Sequence, residues 1–338
     1  MKNTPKITVL LPVYNGEPYL KVAIESILVQ TFKNFELLIV NDGSTDQTEK
    51  IVKSFNDNRI VYIKKDTNQG IVASLNEGFK LAKGEFIARM DADDISLPTR
   101  LQQQYDFLKQ NPEIAILGSH FQIVNAAGYG TDCYLMPLKH EALKVMLFFG
   151  SPFAHPTVMM RKDEFVKHNL WYREEFKHVE DYDLWSRALL ILKGANYDEV
   201  LLNYRISNQQ IASRFSKIQQ QTDEKIKKRL LGMFPLTSAQ IDLLYIFFQN
   251  GVSLNQVNHF EEICSMLQKL SIINNEIKIL NSEVFEQEIA KKTDIILNVY
   301  ANAKNKLYLK YKQSYFFKFS QLSFKQRAKI WFKQYTPV

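Results

Sequence analysis

The sequence predicts an α/β protein in which a mostly parallel sheet is flanked by helices, followed by a mostly helical C-terminal region. Two observations predict this. Through residue 124, short apolar β-rich runs alternate with stretches of helical period, and beyond residue 214 helical periods stand alone. Parallel strands need a long crossover between them, which a helix supplies.

The elements follow in order. Lys6 to Val13 is an apolar run containing Pro12, and Tyr14, Asn15, Gly16 and Glu17 follow as turn and helix-start residues. Val22, Ile24, Ile27 and Leu28 then carry a helical period. Phe35 to Val40 (FELLIV) is a second, fully apolar strand that ends in Asn41, Asp42, Gly43 and Ser44. Ile60 to Ile63 is a third, and Asn68, Gln69 and Gly70 lead into an amphipathic helix over 71–82. Gly84 breaks that pattern, and Glu85 to Met90 is the fourth strand. A helix over 99–110 stops at Asn111 and Pro112, since the residue before proline is steered away from helical geometry. Ile114 to Val124 reads as another strand; beyond it, alternation over 158–160, a helix through 183–191 and the segment 196–202 complete a first domain, 1–214. The second, 215–338, is helical through KIQQQTDEKIKKRLL, SAQIDLLYIFFQ and NHFEEICSMLQKL.

The 338 residues, 46% of them hydrophobic, suffice for two domains with large cores. Cys133 and Cys264 lie far apart without metal-ligand spacing, and MKNTPKITVLLPVYNG has no signal-peptide pattern, so a reducing cytoplasm is expected. The longest apolar stretch considered, Ile241 to Phe248, falls well short of the ~20 residues that span a bilayer. The net charge of +7 is concentrated at one end: nine lysines and arginines follow Asp294, and no acid does. In that tail Phe324, Ala328, Trp331 and Tyr335 share one helical face while Lys325, Arg327, Lys329 and Lys333 lie mainly around the others. With Tyr308, Tyr311, Tyr315, Phe316 and Phe317, they offer a surface for anionic lipid or nucleic acid, or else aromatics packed inward under solvated bases.

Four groups of residues carry candidate chemistry. In ARMDADD, a buried strand ends in Asp91, Asp93 and Asp94 at the carboxyl edge of the sheet, where open α/β sheets bind ligands. Strand alternation sets Asp91 and Asp93 on one side, to share Mg²⁺ or Mn²⁺ with a diphosphate, and Asp94 on the other as a structural residue. Arg89 either acts on the same diphosphate or pairs with a neighbouring acid. The same acids would also cap the helix that follows Leu97. At the ends of the first two strands, Pro12, Tyr14 and Asp42 could hold a uracil by stacking and by accepting its imide N–H, or Asp42 could simply cap a turn. Glu180 and Asp181 open a helix; Asp181 is the candidate general base for an attacking hydroxyl, although acids are ordinary at helix starts. His155, before an apolar strand, is either a hydrogen-bonded structural residue or a contact to an acceptor.

In this order, VLLPVYNG, IVNDGSTD, NQGIVASLNEGF, ARMDADDISLPTRLQQQ, HPTVMMRK and VEDYDLWSRAL resemble the bacterial family 2 glycosyltransferases, in particular those that build surface polysaccharide or lipooligosaccharide. The resemblance runs to Arg205 and implies a GT-A fold, a UDP-sugar donor, a divalent cation and inversion at the anomeric carbon. It gives Pro12, Tyr14 and Asp42 the uridine, Asp91 the ribose and diphosphate region, and Asp93 the Mn²⁺ or Mg²⁺. It makes Asp181 the base and Glu180 the residue that orients acceptor or base. The expected acceptor is a glycan or glycolipid, with the enzyme peripheral on the inner face of the cytoplasmic membrane and no nucleic acid involved. One departure stands out: Tyr204, Arg205 and Ile206 are followed by Ser207 where many relatives carry histidine, so Arg205, Ser207 or water would have to replace it at the metal or diphosphate. A nucleotidyltransferase is the alternative enzyme, but VYNGEPYL lacks the glycine-rich basic phosphate loop that such an enzyme wants. A non-catalytic lipid- or nucleic-acid-binding module is the non-enzymatic alternative.

Overall fold

The structure, a computed structural model, describes residues 4–206, 216–300 and 307–335. Ser207, the boundary at 214, Lys304, Lys306 and the Tyr335 side chain lie outside the described residues. The chain divides into two compact units, Met1–Leu143 with Ser151–Gln219, and Lys144–Gly150 with Gln220–Val338.

The first unit is built on a nine-stranded sheet. In chain order its elements are β1 (Ile7–Val13), α1 (Leu20–Leu28), β2 (Phe35–Asn41), α2 (Thr48–Lys53), β3 (Ile60–Lys64), α3 (Ile71–Leu81), β4 (Phe86–Arg89), β5 (Ile95–Ser96) and α4 (Arg100–Gln110). There follow β6 (Ile114–Val124), β7 (Gly130–Tyr134), α5 (His140–Met146), β8 (Met159–Arg161), α6 (Lys162–Lys167), α7 (Glu180–Ala188) and β9 (Lys193–Arg205). The strand order is β3-β2-β1-β4-β8-β6-β9-β5, with β7 beside β6.

The β3-β2-β1-β4 half is entirely parallel, as the β-α alternation predicts. The other half is mixed: β8 runs antiparallel to both β4 and β6, whereas β9 is parallel to β6. Reversing β8 needs no crossover helix, which is why the pattern loses its regularity there. Strands β5 and β7 escape the hydrophobic pattern for opposite reasons: one has two residues, and the other is exposed along its whole length.

Every residue of β1 and β2 is buried, so these strands read as continuous apolar runs. On one face Leu20, Ala23, Ile24 and Ile27 of α1 pack against Val9, Leu11, Ile39 and Phe86. Each such side chain contributes about 2 kcal/mol when fully buried. The register aligns Ile7 with both Phe35 and Phe86, bringing the carboxyl ends of β1, β2 and β4 to one edge.

The opposite edge is closed by a buried polar network. Thr8 Oγ1 donates to Glu36 at 2.7 Å, Lys83 N–H donates to the same carboxylate at 2.8 Å, and Gly84 N–H donates to Thr8 Oγ1 at 2.9 Å. Behind the functional edge, Gln30 Nε2 donates to the Leu97 carbonyl at 2.7 Å while its Oε1 accepts from Leu101 N–H at 3.0 Å. These bonds anchor the segment after the acidic turn to the end of α1.

The second unit is helical: α8 (Ser216–Leu231), α9 (Ser238–Phe248), α10 (Leu254–Asn258), α11 (Phe260–Ile277), α12 (Ser282–Val299), α13 (Leu307–Lys312) and α14 (Phe324–Tyr335). Thr237 with Gln240 forms a capping box, Gln256 Oε1 accepts from Ser253 N–H at 2.9 Å, and Asn281 accepts from Val284 N–H, so three of these helix starts are specified by sequence. Phe148 packs against Phe234, Phe248 and Phe285 at the centre. Tyr308, Tyr311 and Phe316 are buried in the same unit, the inward-packed alternative that the sequence left open for these rings. Among the described residues no helix is long and apolar enough to cross a membrane.

Gly84 tests this packing. A methyl at its Cα would fall on the backbone of β1, 2.7 Å from the Ile7 carbonyl carbon. Gly84→Ala therefore lowers unfolding stability by about 3 kcal/mol, read as a fall in urea midpoint at unchanged slope.

Candidate active site

Strand β4 ends at Arg89, and the chain leaves the sheet at once. Met90 N–H still bonds to the Leu10 carbonyl at 3.0 Å, but residues 91–94 form a turn, so strand alternation no longer governs their side chains. This corrects the expectation that Asp94 faces away: Asp91, Asp93 and Asp94 each bring a carboxylate oxygen within 4.8 Å of the others.

Two arginines hold the turn by its backbone. Arg205 Nε donates to the Asp93 carbonyl at 2.8 Å, and its Nη1 donates to the carbonyls of Asn125 and Ala126 at 3.1 and 2.7 Å. Its own backbone N–H donates to Asp94 Oδ1 at 2.8 Å. Arg100, fully buried, donates from Nη2 to the Arg89 carbonyl at 2.8 Å. Burial pulls the Arg100 pKa down to about 9 despite the nearby Asp94 carboxylate. Arg205 was named only as a substitute for a missing histidine; here it is the brace of the acidic turn.

The third arginine faces the acids. Arg89 is 4% exposed and forms an ion pair with Asp91. Burial works against its charge, but Asp91 first, with Tyr172 and Asp94, carries its pKa above the ordinary value. This buried pair is the alternative that the sequence left open, and it differs from the weak surface pair envisaged there. Burial and the Asp91 charge push the Asp93 carboxyl up to about 6. Asp94, 1% exposed, is raised well above its usual value by burial and by both neighbouring acids, and its Oδ2 has no hydrogen-bond partner. Converging carboxylates, two of them disfavoured in their charged form and one with an orphaned oxygen, fit a hard divalent cation, which takes oxygen ligands and would remove the repulsion.

Asp42 lies at the end of β2. Its Oδ1 meets Lys65 Nζ at 3.1 Å and accepts from Gln69 N–H at 3.1 Å; its Oδ2 accepts from Gly70 N–H at 2.8 Å. Lys65 is itself held by Ser74 at 2.8 Å and Glu77 at 3.4 Å. Asp42 thus ties the β2 turn to the start of α3, and the intervening Gly43, at φ +73 with the Thr67 backbone against it, admits no side chain. Pro12 is buried in β1, while the Tyr14 ring beyond it is 50% exposed.

Glu180 and Asp181 open α7, as expected, and the helix ends at Ala188, before Ile191. Glu180 is 8% exposed, its Oε2 has no partner, and burial with the adjoining Asp181 pushes its pKa up to about 7. Burial also raises Asp181, with Asp91 adding to the effect and Arg89 opposing it. The helix therefore brings its acids within electrostatic reach of the Arg89–Asp91 pair. Asp183 is the structural acid of the three: it is fully buried and gripped by Arg173 Nε at 2.9 Å and Arg187 Nε at 3.0 Å.

Tyr172 lies between these groups, and the sequence had not singled it out. Its hydroxyl pairs with His155 Nε2 at 2.9 Å, and its backbone is clasped by Asn76 on both sides, at 2.8 and 3.1 Å. The pKa of its phenol is raised by burial, with Asp181, Glu180 and Asp91 adding to the rise and Arg89 opposing it. His155 is buried against Trp185, and burial, then Arg89, keeps its pKa well below the usual histidine range, so the imidazole is neutral.

The Glu180 environment sets a testable pH dependence. A folded-state pKa of about 7 lies above the ordinary glutamate value, so the native chain keeps a proton that the unfolded chain releases. The associated stability is complete below the unfolded value of ~4.3 and is lost as pH rises through 7. Glu180→Gln accordingly raises stability at pH 8 in metal-free buffer, on the order of 2 kcal/mol, and the gain fades as pH falls toward 5. Urea titrations of both proteins across that range check it.

Comparison with known proteins agrees with this architecture. A family profile described as Glycosyl transferase family 2 matches residues 8–170, which take in β1 to α6 and the acidic turn. An uncharacterized glycosyltransferase of Haemophilus influenzae is 33% identical over 282 residues, 80% of this chain and 85% of its own length. The O-antigen biosynthesis glycosyltransferase WbnJ of Escherichia coli is 36% identical over 211 residues, 60% of this chain and 80% of its own. Among solved structures, S. aureus TarS 1-349 in complex with UDP-GlcNAc shares the fold at 20% identity, with a TM-score of 0.58 over 89% of this chain and 88% of that one. Matched across most of the length of such relatives, the chain belongs to glycosyl transferase family 2 and is a glycosyltransferase of the GT-A fold.

Proposed function

We propose that the protein moves a hexose or N-acetylhexosamine from a UDP-sugar to a hydroxyl of a surface glycan or lipid-linked acceptor, inverting the anomeric carbon, with Asp181 as general base. The observation that carries this reading is the placement of Asp181, with its raised pKa, within electrostatic reach of the Arg89–Asp91 pair at the carboxyl edge of the sheet. A nucleotide-sugar donor is supported by TarS, crystallised with UDP-GlcNAc, and a glycan acceptor by the name of WbnJ. Family membership sets aside nucleotidyl transfer as the alternative.

Each residue then has a chemical task. Tyr14 stacks on the uracil, Asp42 accepts its imide N–H and Pro12 shapes the floor beneath it. Asp93, with Asp91 and Asp94, would hold Mn²⁺ or Mg²⁺, which when bound neutralises charge on the departing diphosphate. Arg89 adds a fixed positive charge on the same side, and Asp91 keeps that charge in place. Asp181 takes the proton of the acceptor hydroxyl as its oxygen bonds to C1, while the bond from C1 to the diphosphate oxygen breaks and its electron pair leaves with UDP. One displacement of this kind inverts C1. Glu180 and the neutral His155, through Tyr172, orient the acceptor or the base. The enzyme works in the cytoplasm, at the inner face of the membrane where lipid-linked acceptors are presented.

Asp181→Asn is expected to lower kcat about a thousandfold, with UDP affinity by calorimetry within twofold of wild type. Because the base must be ionised, the rate falls as pH drops through the Asp181 pKa, and this limb lies above the ~3.9 of an ordinary aspartate. Turnover undiminished in the variant removes the base assignment, and a product of retained configuration by NMR removes the single displacement. Asp93→Ala is expected to abolish the Mn²⁺-dependent part of donor binding; unchanged metal-stimulated binding in calorimetry would count against Asp93 as a ligand.

A further inference from the structure

The C-terminal helix α14 presents a face that the second unit does not bury. Phe324 is 85% exposed and Trp331 44% exposed, and their spacing of seven residues places them two turns apart on one side. Ile330 faces inward and is buried. Lys325, Lys329 and Lys333 form an exposed stripe at four-residue spacing, about 100° to 180° around the helix from Phe324, on its polar side. The neighbouring α12, which packs against α14, exposes Ile295 and Val299. Other cations of the tail are engaged: Lys310 pairs with Glu261, Lys318 lies over the Tyr315 ring, and Arg327 stacks on Phe317.

We infer that α14 is a docking element for an anionic bilayer surface, with Phe324 and Trp331 entering the headgroup region and Lys325, Lys329 and Lys333 meeting lipid phosphates. Charge complementarity selects this occupant. The chain has no acid after Asp294, so nothing in the tail repels an anionic surface. Large exposed aromatics on one face, with lysines on the polar side of the same amphipathic helix, suit the interface, where apolar rings bury shallowly and long lysine side chains reach round to hydrated phosphates. Nucleic acid would use the same cations but gains little from a Phe and a Trp two turns apart on a rigid helix. The inference deepens the proposed function by naming where a lipid-linked acceptor is met, and it rests on that reading only for the acceptor.

The test is flotation of the full-length chain with vesicles of phosphatidylcholine alone or mixed with phosphatidylglycerol, at low and high salt. The wild type is expected to float with the anionic vesicles, to release at high salt, and to stay in the bottom fraction with neutral ones. F324S/W331S lowers partitioning about tenfold, and K325E/K329E/K333E lowers it roughly a hundredfold. Both variants should keep the wild-type thermal transition and UDP-sugar affinity. Failure of the wild type to float, equal flotation on neutral vesicles, or flotation of either folded variant like the wild type overturns the inference. So does displacement from anionic vesicles by an equal charge concentration of oligonucleotide, or conversion of a wild-type dimer to monomer by F324S/W331S in sedimentation. These outcomes are independent of the Asp181→Asn result, since donor binding and base chemistry are read without lipid.

Discussion

The ion pair between the buried Arg89 and the half-buried Asp91 is the constraint on which the rest of the site depends. A guanidinium taken out of water costs several kcal/mol unless its charge is answered. Arg89 is answered by Asp91, with Asp94 contributing at longer range, and in return its field lowers the repulsion among Asp93, Asp94, Glu180 and Asp181. Remove the cation and five carboxylates share one edge of the sheet with Arg205 and Arg100 left to offset them. The two other arginines of the neighbourhood are used differently. Arg100 and Arg205 direct their guanidinium donors to the carbonyls of Arg89 and Asp93. They fix the path of the turn while leaving carboxylate oxygens open, and that division is what separates a ligand site from a structural salt-bridge cluster.

The acids of α7 extend the same argument. Glu180, Asp181 and Asp183 lie within four residues, and their environments assign them different states. Asp183 meets two arginines and serves as an anchor. Glu180 is buried with an orphaned oxygen and held near 7. Asp181 feels both the Asp91 charge and the opposing Arg89.

Much of the first unit was legible because its elements bury complete faces. Strands β1, β2 and β4 are buried throughout and mostly apolar, and their ends fall within a residue or two of the sequence reading. The candidate site residues were legible as residue types at strand ends, but their arrangement was not. Asp94 joins its neighbours because the strand stops at Arg89, and no local pattern marks where a strand stops when the next residue, Met90, is also apolar and buried. The contributions of Tyr172, Lys65 and Arg100 depend on contacts between residues far apart in the chain, such as Tyr172 with Asn76 and Arg100 with Arg89, which periodicity does not encode. Glu180 and Asp181 open α7 as their types suggest, but that Glu180 carries the burial of a core residue is not legible from them.

The tail shows why composition underdetermines function. Its aromatics look alike in sequence, yet Tyr308, Tyr311 and Phe316 close the core of the second unit, and Tyr311 is within reach of the buried Asp294 and Ser320. Those rings are spent on folding. Asp294 is the last acid of the chain, and it accepts from Ser320 Oγ and Gln321 N–H at 2.9 and 2.8 Å, so it fixes the segment that leads into α14. Beyond that anchor, the large aromatic side chains of Phe324 and Trp331 reach solvent. A helix fixed at its approach and amphipathic along its length needs no folding on contact, so binding there would not incur the ordering entropy that a disordered basic tail must meet.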